Sequence, residues 1–274
     1  MKYVFKLSRP RFWLYLAGPA LLGLVFGVSK PGELFTFQNL LVFLYFLIPA
    51  NIMLYGINDF FDRGVDEENP KKEGKEVLYD SSVFVDGVVG FSSALAILLV
   101  FILPQRTYLL MILFLLLSYQ YSAPPFRFKT KPFLDSISNG LYLMPFLITF
   151  SYSSGGLPPS TVIAGGWLWT MAMHTFSAIP DIKPDREAGI ETTATHLGRI
   201  GAYGYVTAAW IFSTLLMGFH STYLGALFLV YPVMSTAIFM LEIDDSRAYW
   251  WFPFINAFTG MIITVYGLWV LFNA

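Results

Sequence analysis

The sequence predicts an all-α membrane protein, a polytopic helical bundle of about nine transmembrane helices. Two observations carry this prediction. Of the 274 residues, 56% are hydrophobic and only 13% charged, whereas a soluble domain has about 25% charged residues. The charges are also clustered, leaving long intervals with almost none, and apolar runs of about 20 residues can cross a bilayer core as helices. A third observation, the distribution of basic residues, fixes how those helices are laid out.

The chain opens with Lys2, Lys6, Arg9 and Arg11 ahead of an apolar run through Trp13–Val28. That run has no small-residue cleavage site, so it reads as a first membrane helix with a cationic flank rather than as a signal peptide. Nine spans follow from the apolar pattern, at about 11–28, 36–58, 81–103, 107–123, 134–152, 160–180, 202–219, 222–241 and 250–272. The three longest connections, 59–80, 124–133 and 181–201, follow the second, fourth and sixth spans and therefore share one membrane face. On that face lie Lys2, Lys6, Arg9, Arg11, Arg63, Lys71, Lys72, Lys75, Arg127, Lys129, Lys131, Lys183, Arg186, Arg199 and Arg247, which are 15 of the 17 basic residues. Only Lys30 and Arg106 fall on the other. The excess of Lys and Arg predicts that this face is cytoplasmic and that the C-terminus lies outside. The whole chain, 1–274, reads as one transmembrane domain in the cytoplasmic membrane.

Proline and glycine punctuate the spans at Gly18-Pro19, Pro49, Gly56, Pro145, Gly165-Gly166, Pro180, Pro232 and Pro253. Such residues are common in membrane helices as ordinary packing features. Broken helices are tolerated where the freed backbone is buried in protein or lines a cavity.

Some chemistries are excluded at once. No cysteine is present, so there are no disulfides, thiolate metal sites or cysteine nucleophiles. The net charge of -1 supplies no general basic field for nucleic acid.

The carboxylates point elsewhere. The second span ends in Asn58-Asp59-Phe60-Phe61-Asp62-Arg63-Gly64-Val65-Asp66. Asn58, Asp59, Asp62 and Asp66 are three and four apart, which on a continuing helix puts them on one face. Three carboxylates there repel one another unless a cation sits among them. Such hard oxygen ligands suit magnesium, which commonly joins carboxylates to substrate phosphates. An unpaired carboxylate at the end of an apolar span is costly, so a functional role is the default. The sixth span ends in Asp181-Ile182-Lys183-Pro184-Asp185-Arg186. Alone, two aspartates four apart are a weak signal; a second cluster at matching depth on the same face is a strong one. Two such clusters could hold two magnesium ions across one diphosphate. Between them, Tyr121-Ser122-Ala123-Pro124-Pro125-Phe126-Arg127-Phe128-Lys129 brings two cations to the same face, where they could bind phosphate oxygens or simply be a positive flank. Arg63, Lys183 and Arg186 are interleaved with the aspartates and suit the same purpose.

These three motifs together resemble the UbiA superfamily of intramembrane prenyltransferases, and the resemblance covers nearly the whole chain. It implies a helical bundle around a central cavity, an isoprenyl diphosphate donor and Mg2+. It makes Asn58, Asp59, Asp62, Asp66, Asp181 and Asp185 the metal and diphosphate residues, and Arg63, Arg127, Lys129 and Lys183 diphosphate contacts. Asp59, Asp62, Asp181, Asp185 and Lys129 are then the residues expected to carry catalysis. The most visible departure is Gly64, where relatives often have aspartate; it touches only an auxiliary contact. Two longer segments, Ser8-Arg9-Pro10-Arg11-Phe12-Trp13 through Pro19 and Ser177-Ala178-Ile179-Pro180-Asp181 through Thr195, resemble the lycopene elongase branch. That branch implies transfer of a five-carbon unit from dimethylallyl diphosphate to a carotenoid such as lycopene.

A carotenoid acceptor needs a cavity open to lipid and no polar recognition group. An aromatic or quinone precursor would want a fixed polar partner deeper in the cavity, and a lipid headgroup is a third acceptor class. Inside the spans the best polar pair is His174 with Thr175. A lone histidine on a helix is more often packed and hydrogen-bonded than a base, although on an elongase reading it could help remove the final proton. Among 27 Phe, 16 Tyr and 7 Trp, no single aromatic stands out, since most serve packing and interfaces. His196 and His220 lack ligand company. The mixed-charge stretch Glu67–Glu76 and the acidic group Glu242, Asp244 and Asp245 read as solvated. An ion-coupled transporter is the remaining class, but transporters place such carboxylates near the midplane at broken helices.

Overall fold

The computed structural model describes residues 2–66 and 82–273, and for residues 2 and 63–66 the helical backbone alone. The expected mixed-charge stretch Glu67–Glu76 lies outside the described residues. Every regular element among the described residues is helical, with no strand. The α-helices are α1 (Lys2–Leu7), α2 (Trp13–Gly27), α3 (Phe37–Leu47), α4 (Pro49–Asp66), α5 (Val83–Ile102), α6 (Tyr108–Ser122), α7 (Leu134–Ile137), α8 (Met144–Ser154), α9 (Ser160–Ala178), α10 (Ile182–Glu187), α11 (Thr193–His220), α12 (Thr222–Phe228), α13 (Val230–Met240), α14 (Asp245–Tyr249) and α15 (Phe252–Asn273).

Each expected span contains helix. Five stretches are both long and apolar enough to cross a membrane: Phe37–Asp62, Val83–Ile102, Thr193–His220, Thr222–Met240 and Asp245–Asn273. The other four spans are α2, α6, α7 with α8, and α9. The first three of these are shorter, and α9 carries Thr170, His174, Thr175 and Ser177. Large apolar side chains project outward along these helices, among them Phe101, Leu109, Phe219 and Phe254. Exposure of that kind suits lipid as the solvent and would be a liability in water.

The chain forms two compact units. The first comprises residues 1–126, 144–157 and 260–274, and the second 127–143 and 158–259.

In the first unit, α3 and α4 make one span with a break at Ile48. Pro49 has no amide hydrogen, so a carbonyl of the preceding turn loses its partner. The buried Asn51 side chain donates to Phe46 O at 3.1 Å and Leu47 O at 3.0 Å, so it satisfies two carbonyls at the break. Helix α4 then packs closely on α5: a Cβ on Gly56 would lie 2.4 Å from Val89 Cγ2. Helices α2 and α8 meet as tightly at Gly23, whose added Cβ would strike Thr149 Oγ1. That hydroxyl donates to Ala20 O at 2.9 Å, so a small residue and a polar link work together at the crossing. Arg106 closes α8 by donating to Ser151 O and Tyr152 O at 3.0 and 2.9 Å, a cation on the last carbonyls of a helix.

In the second unit the core is aromatic. Phe176, Trp210, Tyr231 and Phe252 are fully buried; the Trp210 and Phe252 rings stack at 5.5 Å, and Phe176 lies 4.4 Å from Phe252. These aromatics are therefore packing residues. Helix α9 is tied to α11 by Ser213 Oγ donating to Gly165 O at 2.8 Å. Helix α11 is interrupted at Gly198, whose φ of 67° is a left-handed conformation that glycine adopts readily.

One expectation needs correcting here. Asp244 and Asp245 are not simply solvated. Asp245 accepts from Arg199 Nε and Nη2 at 2.7 and 2.9 Å and from Tyr203 OH at 2.7 Å. Asp244 caps α14 by accepting from Arg247 N at 2.7 Å. Asp245 staples the start of α14 to α11.

Candidate active site

The first acidic motif sits where its spacing required. Helix α4 runs unbroken through Asn58, Asp59, Asp62 and Asp66, with Arg63 on the same helix. The side chains of Arg63 and Asp66 lie outside the described residues. Asp59 is buried, while Asn58 and Asp62 are half-buried.

Asp59 is held by a residue that the sequence offered as a positive flank and as part of the elongase-like opening segment. Arg9 Nη2 lies 2.8 Å from Asp59 Oδ1. The same guanidinium covers the ring of Tyr55 at 4.7 Å, one helical turn before Asp59. Arg9 adopts φ 48° immediately before Pro10, a left-handed conformation that costs a non-glycine residue about 1–2 kcal/mol. A charge-assisted bond to a buried carboxylate offsets that cost. Asn58 completes the arrangement. Its Nδ2 donates to Asp59 Oδ1 at 3.2 Å, and its Oδ1 accepts from Ser122 Oγ at 3.0 Å. Ser122 belongs to the Tyr121–Lys129 motif, so within the first unit that motif positions the first one.

The other expected site residues lie in the second unit. Arg127 has φ 45° and starts the turn Phe128–Thr130, in which Thr130 N and Oγ1 donate to the Arg127 carbonyl. Arg127 and Lys129 are half-buried. Asp181 closes the 3-10 turn Ile179–Asp181, and Asp185 lies in α10; both are half-buried, and Lys183 between them is exposed. Arg186 is engaged differently from a phosphate contact: its Nε and Nη2 donate to Thr195 O at 3.2 and 2.5 Å.

One buried acid escaped sequence reasoning. Asp135, in α7, is fully buried. Its carboxylate accepts from Thr193 N at 2.9 Å and from the Thr193 hydroxyl, and these donors open α11, where a helix N-terminus favours an anion. His174 Nε2 lies 3.4 Å from Asp135 Oδ2. The neighbouring pair is in register: Thr175 Oγ1 donates to Ser136 Oγ at 3.2 Å, and Ser136 Oγ also meets Tyr205 OH at 2.9 Å. Only His174 and Thr175 of this group stood out in the sequence. An aspartate at the start of a span looks like a solvated end until Thr193 is brought to it.

Among the described residues, no three acidic or histidine side chains stand close enough to hold a cation by themselves. Magnesium does not require that, because it usually takes one or two carboxylates and fills its shell with water and phosphate oxygens. The amide and carboxylate oxygens of Asn58, Asp59 and Asp62 fit such a shared site by donor type.

The sequence matches the UbiA prenyltransferase family over residues 16–269. The chain belongs to this family. It is a prenyltransferase and an integral membrane protein. Within the family it is similar to the lycopene elongase branch: it is 49% identical over 270 residues to a protein of Haloarcula japonica named lycopene elongase/hydratase, covering 98% of this chain and 92% of that one. Two solved structures of a UbiA homologue from Archaeoglobus fulgidus share the fold. The one bound to GPP and Mg2+ has a TM-score of 0.73 at 21% identity, covering 98% of this chain and 99% of that one. The one bound to DMAPP and Mg2+ has a TM-score of 0.71 at 19% identity with the same coverage.

Proposed function

We propose that this UbiA-family enzyme transfers a five-carbon prenyl group from dimethylallyl diphosphate to lycopene or a related carotenoid, with Mg2+. The observation that carries the acceptor is the near-full-length similarity, at 49% identity, to a relative named lycopene elongase/hydratase. The donor and metal are supported by the Archaeoglobus fulgidus homologue bound to DMAPP and Mg2+, and by oxygen donors at helical spacing on α4.

On this reading Asn58, Asp59, Asp62, Asp66, Asp181 and Asp185 would hold the metal. Magnesium supplies charge neutralisation on the diphosphate, weakening its C–O bond. Arg63, Arg127, Lys129 and Lys183 bind phosphate oxygens and hold the diphosphate as it leaves. Lys129 and the four aspartates Asp59, Asp62, Asp181 and Asp185 carry the catalytic step. Arg9 and Ser122 hold the first motif in the geometry it needs. An apolar surround keeps water from the allylic cation before the acceptor double bond attacks. One family match spanning residues 16–269 supports a single prenyltransferase domain. The distribution of 15 of 17 basic residues supports motif loops in the cytoplasm and the C-terminus outside.

Substitution tests the roles. Asp59→Ala and Asp181→Ala are each expected to abolish turnover in membranes while the protein remains inserted. Full activity in either variant overturns the two-motif account.

A further inference from the structure

The second acidic motif stands on little structure of its own. Asp185 lies on α10, a helix of six residues, and helices that short do not hold their shape alone. The chain leaves α10 through Gly189 at φ 69°, where Ile190 N donates to Asp185 O at 2.8 Å. The orientation of α10 is therefore set by what it is tied to.

The next residue supplies that tie. Arg186 donates Nε and Nη2 to Thr195 O at 3.2 and 2.5 Å, joining α10 to the first turn of α11. In an unbroken helix the Thr195 carbonyl would accept from the amide of residue 199. Gly198, at φ 67° and ψ 174°, takes the chain off the helical path between them. A rigid fork of donors suits a carbonyl at such a kink. The carbonyl is itself held in place. Thr192 and Thr195 exchange bonds of 2.7 and 3.1 Å across the start of α11, and Thr193 N donates to the fully buried Asp135 on α7 at 2.9 Å. A buried acid in a membrane protein is costly and usually has a task. Here it anchors the frame on which Arg186 rests.

We propose that Arg186 is the positioning residue of the second motif. Through the Thr195 carbonyl it holds Asp185 at the angle needed to bind the metal and diphosphate, and it does not contact phosphate itself. This rests on the Mg2+ reading above. Side chains that orient metal ligands typically change metal affinity or activity by about 10–100-fold when removed.

The test is calorimetric binding of dimethylallyl diphosphate to the purified full chain in detergent, with Mg2+ and no carotenoid, and with thermal unfolding measured in parallel. Arg186→Gln is expected to weaken binding about tenfold. Arg186→Lys should weaken it less, because the charge and one donor remain. Gly198→Ala should weaken it too: alanine strains the left-handed kink, while its Cβ would lie 3.7 Å from Arg186 Nη2, an ordinary contact. Combining Arg186→Gln with Gly198→Ala should weaken binding by less than the product of the two effects, since both act on one carbonyl. Unchanged affinity in Arg186→Gln, whatever its unfolding temperature, overturns the proposal and leaves the arginine a packing residue. A double variant equal to the product of the singles also overturns it, because an arginine bound to phosphate would not sense the kink. Absence of Mg2+-dependent binding in wild type instead sinks the metal reading, and this inference with it.

Discussion

Arg9 Nη2 sits 2.8 Å from Asp59 Oδ1, joining the segment before α2 to the first acidic motif across 50 residues of sequence. The carboxylate is buried and the guanidinium nearly so. Removing one member of such a pair strands the other, at a cost of about 3–5 kcal/mol. Arg9→Ala is expected to lower thermal stability in detergent by that order and to reduce prenyl transfer. Arg9→Lys should recover part of both, since it restores charge without the planar group over Tyr55. Wild-type stability and activity in Arg9→Ala would show the pair to be incidental.

Arg127 combines a left-handed backbone with a side chain proposed to meet phosphate. Glycine and alanine separate the two properties. Both Arg127→Gly and Arg127→Ala lose the guanidinium, so both should lose about a hundredfold in turnover, as when one transition-state donor is deleted. The glycine variant should nevertheless be the more stable of the two by about 1 kcal/mol, because alanine keeps the strained conformation. Comparing turnover and thermal unfolding across the pair reads the two effects independently.

Asn51 compensates for the break at Ile48–Pro49 by donating to Phe46 O and Leu47 O. Asn51→Leu leaves those buried carbonyls unsatisfied, which costs about 1–3 kcal/mol. The expected result is a lower unfolding temperature with the donor KM retained in the folded fraction. Unchanged stability would mean that the break is satisfied in another way.

How much of this was written in the sequence depends on the range of each interaction. The α4 motif was legible because Asn58, Asp59, Asp62 and Asp66 follow the helical period, and the helix continues through them. Pro49 was marked within the 36–58 span, but its spacing alone did not separate a helix break from ordinary packing. Arg9, Asp135 and Asp245 were not legible. Their partners Asp59, Thr193 and Arg199 stand 50, 58 and 46 residues away, and no local spacing announces such pairing. Each looked instead like what its neighbourhood suggested: a topological cation, a span end and a solvated acid. Ser122 shows the intermediate case. Its motif was recognised, but only its bond to Asn58 explains why a hydroxyl belongs there.

The most direct test of the central claim is product analysis in bacterial membranes that contain lycopene and this protein, supplied with dimethylallyl diphosphate and Mg2+. The account predicts carotenoids heavier by one or two five-carbon units, and their loss on adding EDTA. Unchanged lycopene, with the protein folded and inserted, would contradict it and move the acceptor to the aromatic precursors used elsewhere in prenyl transfer.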